Sequence, residues 1–129
     1  MTTEKQLEMV NTFANKFISD LYPEVDKIEI NFKDGRYLEY NIYLNIDTTK
    51  ESVIDDVDPY YMVDKNINPY IKSFLPQITL PINKLYDIRV YNNKNEEVLN
   101  ELEFLKTIYD KDPNATGGYM YRQLAGLVK

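Results

Sequence analysis

The stretch Lys27–Ile46 constrains the chain most, because its alternation, turn chemistry and register must all be satisfied together. Ile28, Ile30 and Phe32 alternate with Lys27, Glu29, Asn31 and Lys33, while Leu38, Tyr40, Ile42, Leu44 and Ile46 alternate with Tyr37, Glu39, Asn41, Tyr43 and Asn45. A period of two is that of a strand with one buried face. The segment is therefore predicted to be a β-hairpin turning at Asp34-Gly35. A two-residue turn would pair Phe32 with Tyr37 and send the two apolar rows to opposite faces, leaving no single core face. A three-residue loop of Lys33, Asp34 and Gly35, with Gly35 at positive φ, pairs Ile30 with Leu38 and Ile28 with Tyr40. Both rows then share one side, and this is the expected register.

A helix precedes the hairpin. Thr3-Glu4-Lys5-Gln6 has the form of a capping box, and Leu7, Val10, Phe13, Ala14, Phe17, Ile18 and Leu21 follow at spacings of three and four. Glu8, Asn11, Lys16 and Asp20 fall largely on the other side. Tyr22-Pro23 ends the helix, since proline pushes the residue before it out of the α region. The stripe is expected to pack across the apolar face of the hairpin.

Beyond Ile46 the chain turns acidic. Thr48-Thr49-Lys50-Glu51 predicts a short helix, and Asp58-Pro59-Tyr60 and Asn68-Pro69-Tyr70 each place a capping residue before a proline suited to a first helical turn. Two separate short helices are expected, because Pro69 would break a continuous one. Ile78-Thr79-Leu80 suits an edge strand between prolines, and Leu85–Tyr91 alternates as a second strand. Asn95 is the expected cap of a second long helix bearing Val98, Leu102, Leu105 and Tyr109, with Glu96–Leu99 as return arm of a second hairpin the alternative. Asp110–Gly118 has linker chemistry, and Tyr119, Met120, Tyr121, Leu124, Leu127 and Val128 form an apolar tail that either folds back or docks on a neighbour.

The predicted fold is α+β: a small, mainly antiparallel sheet built on the hairpin, flanked by two long helices, with a short helical excursion and a C-terminal tail. Residues 1–110 are expected to form one domain, with 111–129 a flexible joint and tail. A chain of 129 residues is long enough to bury about two-thirds of its unfolded surface around one core.

With no histidine and no cysteine, imidazole and thiol catalysis and thiolate metal sites are excluded. The net charge of −6 disfavours binding to nucleic-acid backbones, and it divides into −8 over residues 1–64 and +2 over 65–129. No apolar run approaches a membrane span and no cleavable signal is expected, which places the protein in the cytoplasm or a virion. No cofactor is expected. Asp55, Asp56 and Asp58 are the best candidates for a hard-cation site, but their spacing reads first as a solvated acidic turn. Glu101 and Glu103 lie near Lys106, on a predicted helix with both carboxylates facing water.

The 12 tyrosines carry more weight, because tyrosine joins a large rigid surface to a polar tip. Tyr37 and Tyr43 fall on the hairpin face opposite the core, and Tyr60, Tyr61 and Tyr70 flank the acidic stretch. With Tyr119, Tyr121, Leu124 and Leu127 they form the expected partner-binding set. The leading expectation is a non-enzymatic protein–protein interaction or assembly module, an accessory or structural protein of a phage or virus, since the Tyr-, Asn- and Ile-rich composition suits an AT-rich genome. The alternatives are a small acidic inhibitor of a nucleic-acid-processing protein, and a metal-dependent hydrolase using Asp55, Asp56 and Asp58.

Overall fold

The computed structural model describes residues 3–33, 37–74 and 86–126. The order is α1 (Thr3–Leu21), β1 (Val25–Lys33), β2 (Tyr37–Leu44), α2 (Val53–Asp56), α3 (Pro59–Met62), a π-helical turn (Val63–Ile67), α4 (Asn68–Phe74), β3 (Tyr86–Tyr91), β4 (Glu97–Asn100), α5 (Glu101–Lys111) and α6 (Thr116–Leu124). The fold is α+β. One sheet has the order β1-β2-β3-β4, its outer pairings antiparallel and its central β2–β3 pairing parallel. A parallel pair needs a long crossover, and the helical segment from α2 to α4 lies within it.

The hairpin keeps its expected parity but not its expected pairing. Ile30 lies opposite Tyr40, Ile28 opposite Ile42 and Phe32 opposite Leu38, a slide of two residues from the predicted register. An even slide leaves every side chain on its own face, and this one adds Phe32–Leu38 to the apolar ladder. It also brings Lys33 within 3.9 Å of Glu39. The turn proposed for Gly35, the side-chain cap of Thr3 and the edge strand Ile78–Leu80 lie outside the described residues.

Val10, Ala14 and Ile18, four residues apart on α1, are buried against Ile28, Ile30, Tyr40 and Ile42 in one cluster. The same cluster takes in Val53, Val57, Met62, Val63, Ile67 and Ile71. Thus α1 and the run from α2 to α4 together cover one face of the sheet, and Phe13 stacks on Tyr70 where they meet. Each fully buried aliphatic side chain contributes about 1.5–3 kcal/mol of transfer free energy.

Asp58 caps α3 as expected, accepting from the Tyr61 N–H at 3.1 Å. The second expected helix does not stand apart. Residues 59–74 form a continuous helical run through the π turn, in which the Asn68 N–H donates to the Val63 carbonyl five residues back. The wider turn lets the chain enter α4 at Pro69 without a break.

The second long helix starts later than predicted. Residues Glu97–Asn100 pair with β3 as the return arm of a second hairpin, Asn95 takes φ 62° in its turn, and Asn100, not Asn95, caps α5 by accepting from the Glu103 N–H. Asn92 holds that turn, its Oδ1 accepting from the N–H groups of Lys94 and Glu96. Pairing to a buried strand outweighs the helical preference of Glu97–Asn100.

After α5 the segment with linker chemistry is a tight turn into α6, which packs on α5 with Tyr109 against Tyr121. Gly117 and Gly118 are helical, and close approach explains them. A Cβ on Gly117 would lie 2.8 Å from Ile108 Cδ1, and one on Gly118 2.8 Å from the Asp112 carbonyl oxygen.

Candidate interaction surfaces and a buried acid cluster

The face of the sheet away from α1 is built in rows by the register. Lys27, Tyr43, Tyr91 and Glu97 form one row, Glu29, Asn41, Arg89 and Asn100 the next, and Asn31, Glu39 and Asp87 a third. Tyr43 and Tyr91 stack with centroids 4.9 Å apart, and the Lys27 ammonium sits 4.7 Å above the Tyr43 ring, a cation–π arrangement. Asn41 donates to Glu39 at 2.9 Å, and the Arg89 Nε donates to Asp87 at 3.0 Å. Asp87, at one end of the face, is 0% exposed, and the Leu102 backbone in the first turn of α5 is near enough to favour its charged form against that burial. At the other end Tyr43 and Tyr91 remain half-buried.

The two edges of the sheet are treated differently. Asn11 and Asn15, one turn apart on α1, each make an amide pair with the outer side of β1. The Ile30 N–H donates to Asn11 Oδ1 at 2.7 Å and the Asn11 Nδ2 donates to the Ile30 carbonyl at 2.9 Å; Asn15 repeats the pattern on Ile28 at 2.8 and 2.7 Å. Two side chains therefore stand where another strand's backbone would pair. An open strand edge is a template for foreign strands, and α1 closes this one. Among the described residues, β4 pairs on one side only, with β3.

Glu101 lies one residue beyond the Arg89–Asn100 pair, which brings it level with Ile88 on the apolar face. It is only 4% exposed, so the expected solvated glutamate is buried instead. Its Oε1 and the Oδ1 of Asp87 have no hydrogen-bond partner among the described residues. Burial pushes the Glu101 carboxyl up to about 8, and the negative charges of Asp87 and Asp64 push the same way. Asp87 is also raised by burial, with Arg89 opposing. Nearby, Tyr86 donates to Asp64 at 2.7 Å, Asn68 donates to Asp64 at 3.4 Å, and Tyr40 donates to Asn68 at 2.6 Å. Burial and this acidic setting raise the Tyr60 and Tyr86 hydroxyls well above their ordinary range. At neutral pH the cluster thus holds a protonated Glu101 beside neutral phenols.

The predicted partner-binding residues are dispersed. Tyr61 and Tyr119 are exposed; Tyr60 packs against the core, Tyr70 stacks on Phe13 and Tyr121 leans on Tyr109. Tyr37 lies on the polar face with Tyr43. Leu124 is buried, and Leu127 lies outside the described residues. Asp55, Asp56 and Asp58 are exposed, with Asp56 accepting from the Thr48 hydroxyl at 2.6 Å and Asp58 engaged as the α3 cap. Among the described residues no group of three or more His, Cys, Asp or Glu is placed to hold a metal ion. No helix among them is long and apolar enough to cross a membrane.

Sequence patterning gives Asn15, Asp87 and Tyr91 no role, puts Asn11 on the side of α1 away from its apolar stripe, and puts the Glu101 carboxylate in water. A signal existed for Asn11 and Asn15: two amides one turn apart at the border of an apolar stripe. Tyr91 was recoverable from the alternation of β3 once that strand was placed beside β2. Compared with known protein families, curated proteins and solved structures, the chain matches none.

Proposed function

We propose that the chain is a non-enzymatic protein–protein interaction or assembly module that binds through the polar face of its sheet. The observation that supports this reading is the half-buried Tyr43–Tyr91 stack with Lys27 above it. Large rigid aromatic surface with a charged rim is the chemistry of interaction hot spots. The chain's net charge of −6 disfavours a nucleic-acid partner. The composition, rich in tyrosine and without histidine or cysteine, favours an accessory or structural role in a phage or virus, in the cytoplasm or on the particle.

Capture from the native source tests the reading. The wild-type chain is expected to recover a stoichiometric protein partner, and the double variant Tyr43→Ala, Tyr91→Ala at least ten-fold less of it, with the two proteins matched in far-UV circular dichroism. A wild-type chain that sediments as a strict monomer and recovers no partner would overturn it.

A further inference from the structure

We propose that the outer edge of β4, unpaired among the described residues, is a docking site for an extended, net-basic segment of another protein, taken up by strand addition; this deepens the interaction-module reading and rests on it. A cavity of about 280 Å³ is lined by Glu97, Val98, Leu99 and Asn100 together with Glu103 and Phe104 of α5. Successive residues of a strand point to opposite faces. β4 bulges at Val98, whose side chain is buried in the core while Glu97 and Asn100 lie in the rows of the polar face, so a space that touches all four residues of β4 runs along the strand's edge, where its backbone groups are unpaired among the described residues. The opposite edge of the same sheet is engaged at Ile28 and Ile30 by Asn11 and Asn15, so among the described residues the pairing capacity of the sheet is concentrated here.

The walls indicate the occupant. Phe104 is 56% exposed and bounds the groove with an apolar ring, a seat for one side chain of an added strand. Glu97 and Glu103 line it against the single cation Lys50. With the whole chain at −6, a basic segment is attracted, whereas a second copy carries the same charge and is repelled. Backbone pairing gives affinity in this mode of recognition, and the alternate side chains give selectivity. β4 has only four residues, so the groove wall and the carboxylates have to supply part of the binding.

The test uses the full chain and a fluorescein-labelled peptide of alternating lysine and valine. Binding is expected by anisotropy, with amide shift changes centred on 97–104. Phe104→Ala is expected to weaken it at least ten-fold, and Glu97→Gln with Glu103→Gln to weaken it and flatten its salt dependence. Phe104 is exposed, so its truncation leaves the core intact. A glutamate–valine peptide and a lysine–valine peptide methylated at alternate backbone nitrogens are expected not to bind. Absence of binding, equal binding of either control, shift changes elsewhere, or a dimer of the chain formed through β4 would each overturn the proposal. A native partner lost with Tyr43 and Tyr91 but retained by Phe104→Ala would leave the interaction module standing and remove only this site.

Discussion

Replacing Asn11 and Asn15 together by alanine is expected to lower the stability of the chain by roughly 2–5 kcal/mol and to make it self-associate. The two side chains supply four hydrogen bonds to the backbone of β1 at Ile28 and Ile30. A partly buried backbone group left without its partner costs about 1–3 kcal/mol, with water at the sheet edge recovering part of that. The more telling effect is on association. With the amides gone, β1 offers a nine-residue edge in place of a closed one, and an edge of that length pairs readily with another chain. Urea denaturation at low protein concentration and light scattering at high concentration separate the two effects. Asn15→Asp sharpens the result: the carboxylate still accepts from the Ile28 N–H but faces the Ile28 carbonyl with no donor. A double variant of unchanged stability that stays monomeric would show that α1 does not close the edge.

The second large effect is on pH dependence. Glu101 is buried, and its folded carboxyl titrates at about 8 against an ordinary 4.5. Between those two values the folded chain holds a proton that the unfolded chain has released. Raising the pH across that window therefore favours unfolding, by at most about 1.4 kcal/mol per pH unit, with full stability from this group below 4.5 and the loss complete above about 8. Glu101→Gln keeps the shape and removes the proton. It is expected to leave stability at pH 5 nearly unchanged and to raise it at pH 9 by about 4–5 kcal/mol. Urea midpoints for the two proteins from pH 5 to 9 check this, and parallel curves would mean that Glu101 reaches water in solution. The difference between the two proteins isolates Glu101 from the other carboxylates, which titrate in both.

Legibility from sequence follows what each residue type can specify by itself. The hairpin faces were readable because a period of two is a property of the strand, whereas the pairing was not, because a slide of two residues leaves every side chain on its face. Asn95 and Asn100 both offer cap chemistry ahead of glutamates; only the pairing of Glu97–Asn100 with β3 decides between them. Pro69 signals a break correctly in local terms, and a π turn upstream absorbs it. Gly117-Gly118 reads as linker, but the same absence of Cβ lets α6 approach Ile108 and the Asp112 carbonyl. The acid cluster was least legible. A glutamate in a first helical turn ordinarily lies in water, and Glu101 is buried only because β4 delivers it level with Ile88.

Placement of a photo-reactive amino acid tests the central proposal, that the polar face and the β4 edge are the binding side of the molecule. The residue would replace Tyr43, Phe104 or, as a control on the outer surface of α1, Asp20, and irradiation would be carried out in the native source. Cross-links to one discrete protein from positions 43 and 104, and none from position 20, are the predicted result. Cross-links from position 20 alone, or equally from all three, would contradict it.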